Sequence, residues 1–255
     1  MTDALGVFDS GVGGLSVVRA IWQLAPREDI EYWGDTAHMP YGDRPAAQIR
    51  DLTVAGVQAL AAAGCRGVVL ACNTATAVAL EAAQAAVDVP VVGVVGAGAR
   101  AAAAAASGGA VAVLATAATV RSGAYPEELR RLGHQGTVVS WACPPFAPLV
   151  EQGRAADPAS RQVVADTLAP LVGQAGTVVL GCTHYPFLTD AIRDVLGDVT
   201  LVDPAAGAAA ELLDRCGRRP AAGLLNVRVT GDPAAFAAVA EQLIGRAAAT
   251  VAAAG

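Results

Sequence analysis

The chain has 255 residues, enough for one large domain or for two of about 100 to 150 residues, with a sizeable core either way. Apolar residues make up 54% and charged ones only 16%, but much of the apolar content is alanine, which suits close-packed helices better than a bilayer. A net charge of −6 argues against a nucleic-acid surface, and because all 17 basic residues are arginine, enzymes that need a Schiff-base lysine or a P-loop lysine are excluded.

Ala4 to Asp9 reads as a short buried strand. It runs into Asp9-Ser10-Gly11-Val12-Gly13-Gly14, and Leu15 to Leu24 then has helical spacing, an arrangement that could cradle a phosphate or a carboxylate on backbone N–H groups. The dinucleotide fingerprint wants glycine where Ser16 stands. Ile30 to Trp33 is a second strand, closing with Gly34-Asp35-Thr36. The loop through His38, Met39, Pro40, Tyr41 and Gly42 reads either as a turn with an aromatic lid or as a ligand loop at a strand end. Arg44 to Ala63 has the period of a long helix.

Val68-Val69-Leu70 is an apolar strand that ends in Ala71-Cys72-Asn73-Thr74, followed by a helix from Thr76 to Ala86 and a valine-rich strand from Pro90 to Gly96. Ala101 to Val120 carries no charge over twenty residues, long enough to span a membrane, but Ser107-Gly108-Gly109 breaks it, so no span is expected. Beyond the break, strands are expected at Ala110 to Ala115, Thr137 to Trp141, Thr177 to Leu180 and Val199 to Val202. Helices are expected toward Leu132, after Phe146 with Glu151 in an apolar setting, from Asp157-Pro158, and from Ala206 to Cys216. Leu225 to Thr230 is a further strand, Ala234 to Ile244 a last helix, and the alanine-rich tail is expected to fray.

The pattern repeats. Ser10 to Thr116 is 106 residues, Asp35 to Cys143 is 108, Cys72 to Cys182 is 110 and Val95 to Asp203 is 108, a near-constant offset that marks an internal duplication. Val178-Val179-Leu180-Gly181-Cys182-Thr183-His184 is thereby the counterpart of the Cys72 strand. Ligands of open α/β sheets bind at the carboxyl ends of strands, so both thiols are candidates for one site between the halves. A protease-like nucleophile needs one cysteine, whereas two thiols on opposite sides of a carbon can move a proton from one face of a stereocentre to the other.

Asp9, Asp35 and His184 are placed to orient those thiols, and Ser10, Asn73, Thr74, Thr116 and Thr183 to bind a carboxylate. Cys65, Cys143 and Cys216 lack polar flanks and read as structural; His38 and His134 read as loop or surface histidines. A zinc site at Cys72, Cys182 and His184 lacks Cys-x-x-Cys spacing, so no metal is expected. Five cysteines, an odd number, and a start without a basic, then apolar, leader point to reduced thiols in the cytoplasm.

Gly6-Val7-Phe8-Asp9-Ser10-Gly11-Val12-Gly13-Gly14-Leu15, Gly34-Asp35-Thr36-Ala37, Pro40-Tyr41-Gly42, Ala71-Cys72-Asn73-Thr74-Ala75-Thr76-Ala77 and Gly181-Cys182-Thr183-His184-Tyr185-Pro186 resemble the motifs of bacterial glutamate racemases, from Leu5 to about Gly231. The histidine at 184 favours these over their aspartate racemase relatives, which usually carry glutamate there. The resemblance implies two pseudo-symmetric α/β domains with mainly parallel sheets and an active site in the interdomain cleft. One domain would hold residues 1 to 97 with 208 to 255, the other residues 98 to 207.

It further implies cofactor-independent interconversion of L- and D-glutamate for peptidoglycan, and a homodimer. Some members of the family also bind DNA gyrase, which adds a regulatory binding role to the readings. By match of motif, Cys72 resembles the residue that handles the proton of the D-isomer and Cys182 that of the L-isomer, with Asp9, Asp35, Glu151 and His184 assisting. Substrate contacts carry over to Asp9-Ser10, Tyr41-Gly42, Asn73-Thr74 and Thr183-His184, with Thr116 and Thr119 close by. Ala118, His38 and Asp203-Pro204 depart from the usual pattern, and no extension precedes the first strand, so activation by a cell-wall precursor is not expected.

Overall fold

The computed structural model describes residues 3–245 and 248–254. The first half alternates β1 (Leu5–Asp9), α1 (Leu15–Leu24), β2 (Ile30–Gly34), α2 (Ala46–Ala62), β3 (Gly67–Leu70), α3 (Asn73–Ala85), β4 (Val91–Gly93) and α4 (Val94–Ala106). The second half follows with β5 (Val111–Ala115), α5 (Ala117–Ser122), α6 (Ala124–Arg131), β6 (Val138–Ala142), α7 (Phe146–Glu151), α8 (Pro158–Leu168), β7 (Thr177–Gly181), α9 (Thr189–Leu196), β8 (Thr200–Val202) and α10 (Pro204–Cys216). The chain then returns to the first sheet through β9 (Leu225–Val229), α11 (Pro233–Ile244) and β10 (Thr250–Ala253).

Two all-parallel sheets result, one of six strands in the order β10-β9-β2-β1-β3-β4 and one of four in the order β6-β5-β7-β8. The second order reproduces the β2-β1-β3-β4 part of the first, so the duplicated sequence folds into duplicated topology. β1, β3, β5 and β7 are buried along their whole length, the condition under which parallel strands read as unbroken apolar runs. Both faces of each sheet are covered by buried apolar side chains, Val7 and Leu212 on one side of the first sheet and Phe8 and Ile49 on the other. In the second sheet Leu114 and Phe146 lie on one side, Val113 and Leu129 on the other.

The alanine-rich segment is used for close helix approach. α4 and α10 carry the chain between the sheets and pack on each other, with Ala97 and Ala208 in one buried cluster. A Cβ on Gly98 would stand 2.9 Å from both Pro204 Cγ and Tyr125 Oη, so glycine is required there for contact. Among the described residues no helix is long and apolar enough to cross a membrane.

Three expectations need correction. The valine run from Pro90 to Gly96 is not one strand, because only Val91–Gly93 pairs with β3 and α4 starts at Val94; Val94 and Val95 are buried either way, and an apolar run does not distinguish the two states. The helix after Cys72 starts at Asn73 rather than Thr76, with Cys72 itself as its cap. Residues 250–253 of the tail do not fray but add β10 to the free edge of β9, with Val251 packed on the core.

Candidate active site

The carboxyl ends of β1, β3, β5 and β7 meet across a cavity of about 380 Å³. Ser10, Tyr41, Gly42, Cys72, Asn73, Thr74, Thr116, Glu151, Cys182, Thr183 and His184 of the expected set line it. Asp9, Asp35 and Thr119 stand behind that lining and reach it through other residues.

Cys72 leaves β3 and caps α3, its Sγ accepting from Ala75 N at 3.5 Å and lying 3.6 Å from Ser10 Oγ. Burial, and then the negative Asp9, push its thiol up to about 12, against the pull of the Ala75 and Ser10 hydrogen bonds. Cys182 leaves β7 in the same way, but its neighbours differ. His184 Nδ1 lies 3.4 Å from Cys182 Sγ, and His184 Nε2 lies 2.6 Å from Glu151 Oε1. Burial pulls the imidazole down, yet the charge and hydrogen bond of Cys182 and the Glu151 carboxylate outweigh it and hold His184 well above its ordinary range. One thiol is thus held protonated, while the other faces an imidazolium that can balance a thiolate.

The glycine-rich turn after β1 is not an open phosphate cradle. Gly11 N donates to Asp9 Oδ1 at 2.8 Å and Val12 N donates to Glu151 Oε1 at 3.0 Å, so two of its donors are already taken by carboxylates of the chain. Tyr32 Oη, a residue the sequence did not single out, donates to Gly11 O at 2.7 Å and props the turn. Asp9 is fully buried, which lifts its carboxyl to about 6 against the opposing pull of His184.

Hydroxyl groups converge from both halves. Thr74 Oγ1 lies 2.9 Å from Thr116 Oγ1 and 3.2 Å from Thr119 Oγ1, and the last two lie 3.1 Å apart. Thr116 also caps α5, so two helix N-termini, those of α3 and α5, point into the same space. Among the described residues the lining holds no arginine, and His184 carries positive charge there when protonated. Arg121 stands outside it and donates to Gly42 O at 3.2 Å from across the cleft.

Asp35 is placed otherwise. Tyr41 Oη donates to its Oδ2 at 2.6 Å and Thr230 Oγ1 to its Oδ1 at 2.7 Å, and His38 Nδ1 lies 2.7 Å from Oδ1. The carboxylate anchors the Tyr41 loop. Cys143, read from the sequence as structural, lines the cavity wall, and burial keeps its thiol above the ordinary range. Cys65 is buried, and Cys216 is half-buried against Arg66 O. Among the described residues no group of three or more His, Cys, Asp or Glu side chains is arranged to hold a metal ion.

The model of the Asp/Glu/Hydantoin racemase family matches residues 13–212. A glutamate racemase of Streptococcus suis (strain 05ZYH33) is 44% identical over 249 residues, covering 94% of this chain and 94% of the relative. The crystal structure of RacE1, a glutamate racemase isoform from Bacillus anthracis, superposes with a TM-score of 0.91 at 36% identity over 98% of this chain and 97% of its own. That of the glutamate racemase from Francisella tularensis in complex with D-glutamate does so with a TM-score of 0.89 at 28% identity, over 100% of this chain and 98% of its own. The chain belongs to the Asp/Glu/hydantoin racemase family.

Proposed function

We propose that the protein interconverts L- and D-glutamate without a cofactor, by proton transfer between Cα and the thiols of Cys72 and Cys182. The observation that carries this reading is the placement of the two cysteines at equivalent ends of β3 and β7, lining one cavity between duplicated halves. In the L-to-D direction the Cys182 thiolate takes the Cα proton, and the Cys72 thiol gives its proton to the opposite face. The enzyme is left with the protonation states exchanged, ready for the reverse reaction. Resetting runs through His184 and Glu151 on one side and, on the other, through Ser10, whose Oγ lies 3.6 Å from the Cys72 thiol.

The Cα–H is a very weak acid, and the developing negative charge spreads into the α-carboxylate. Thr74, Thr116, Asn73 and the two helix N-termini supply neutral donors for that charge at the cavity wall. Asp9, His184 and Glu151 act as assisting groups, and Asp35 acts through Tyr41. On this reading the protein is a cytoplasmic enzyme that supplies D-glutamate for peptidoglycan, and it works as a homodimer.

The test is Cα–H exchange in D₂O, followed by NMR from each isomer with no added cofactor. The wild type should place deuterium in the opposite isomer from either side, and Cys72→Ser and Cys182→Ser should each abolish racemisation. A folded wild type that exchanges nothing on glutamate would overturn the reading.

A further inference from the structure

Asn73 lines the cavity, is 3% exposed, and lies next to the catalytic thiol of Cys72. Its amide can bind an anion only if the NH₂ end faces the cavity; turned over, it presents a carbonyl oxygen to a carboxylate. What decides the orientation comes from the other half of the molecule. Tyr125, on α6, donates its hydroxyl to Asn73 Oδ1 at 2.7 Å. Tyr125 is 1% exposed, and burial keeps its phenol far above the ordinary range, so it is a permanent neutral donor.

Gly98 lets the hydroxyl lie there, because a Cβ at that position would stand 2.9 Å from Tyr125 Oη. The bond takes the oxygen of Asn73 and leaves its two N–H donors, which have no partner among the described residues.

We propose that Tyr125 is a positioning residue that fixes the Asn73 amide with its NH₂ toward the substrate carboxylate. The inference rests on the reading of the cleft as a glutamate site. It also couples the halves: α6 belongs with the second sheet and Asn73 with the first, so the donor is aimed only when the two are together.

Enantiomers have equal enthalpies in water, so turnover itself adds no heat and calorimetry reads glutamate binding alone. Titration of wild type, Tyr125→Phe, Asn73→Ala and the double variant forms a cycle. Tyr125→Phe should weaken glutamate binding about tenfold in the wild-type background, the scale of one misdirected hydrogen bond. In the Asn73→Ala background the same change should alter binding less than about twofold. Equal weakening in both backgrounds, or none in either, would overturn the proposal. Melting temperatures identify a variant that fails to fold, and Gly98→Ala, which displaces the hydroxyl without removing it, then takes the place of Tyr125→Phe with the same expected outcomes. A wild type with neither binding heat nor deuterium exchange would instead count against the glutamate reading itself.

Discussion

Thr183 Oγ1 donates to Asp9 Oδ2 at 3.1 Å, so a hydroxyl beyond β7 ties the second half to a carboxylate at the end of β1. The bond holds a group whose charge the fold disfavours. Burial lifts Asp9 from 3.8 to about 6, with His184 and the Gly11 N–H pulling the other way. A carboxyl with a raised folded-state pKa stabilises fully below its unfolded value of about 4, and that contribution is lost as pH rises through about 6. The loss is on the order of 2–3 kcal/mol by neutral pH. Asp9→Asn keeps an acceptor for Gly11 N and removes the charge, so urea unfolding should show a flatter fall in stability between pH 4 and 6, together with slower racemisation. An unchanged slope would mean that Asp9 does not titrate in this range.

The Glu151 carboxylate makes a different pH prediction. It bonds both His184 Nε2 and Val12 N, and it is one of the groups that hold His184 protonated against the pull of burial. Glu151→Gln removes that part, so the imidazolium loses its proton at lower pH. The alkaline limb of the kcat/KM profile should move toward neutrality, and kcat/KM should fall equally in both directions because the equilibrium constant between enantiomers is one. A limb that stays in place would assign it to another group.

Most of the architecture was legible because duplication and apolar strands are both written locally. Val68–Leu70 and Val178–Leu180 are each bounded by turn residues and each followed by a cysteine, and their offset placed both in equivalent strands before any contact was known. Val94 and Val95 were not legible, since burial in a strand and burial in a helix select the same residues. Tyr125 was missed because it acts through a bond to a residue 52 positions away, and a lone tyrosine on a helix carries no signal of its partner. Asp35 was singled out by its strand-end position as a site carboxylate, but its His38, Tyr41 and Thr230 partners, which lie 3, 6 and 195 residues away, could not be read from that position.

Gly13 tests how tightly the halves must meet. A Cβ there would lie 2.5 Å from Thr183 Oγ1 and 2.7 Å from His184 Nδ1, inside the space that the second half fills. The clash falls on the contact between halves and leaves both sheets untouched. Gly13→Ala should therefore leave the melting temperature within a few degrees of wild type and lower kcat/KM roughly 100-fold, the scale of a 1 Å misplacement of reacting groups. Near-wild-type turnover would show that the turn and the His184 segment adjust freely.

The loop over the cavity allows the role of Asp35 to be separated from that of the thiols. Tyr41 and Gly42 line the cavity, Asp35 holds the Tyr41 hydroxyl at 2.6 Å, and Arg121 holds the Gly42 carbonyl from across the cleft. Tyr41→Phe and Arg121→Met each remove one tie without touching a proton-transfer group. Each should raise KM about five- to tenfold, the scale of one hydrogen bond, with kcat within about twofold. Asp35→Asn should follow the same pattern more strongly, since an amide cannot accept from all three of its neighbours at once. Initial rates from both isomers separate the alternatives. A rise in KM marks an anchor, whereas a collapse of kcat and of Cα–H exchange at unchanged KM would place the Asp35 carboxylate in the proton path.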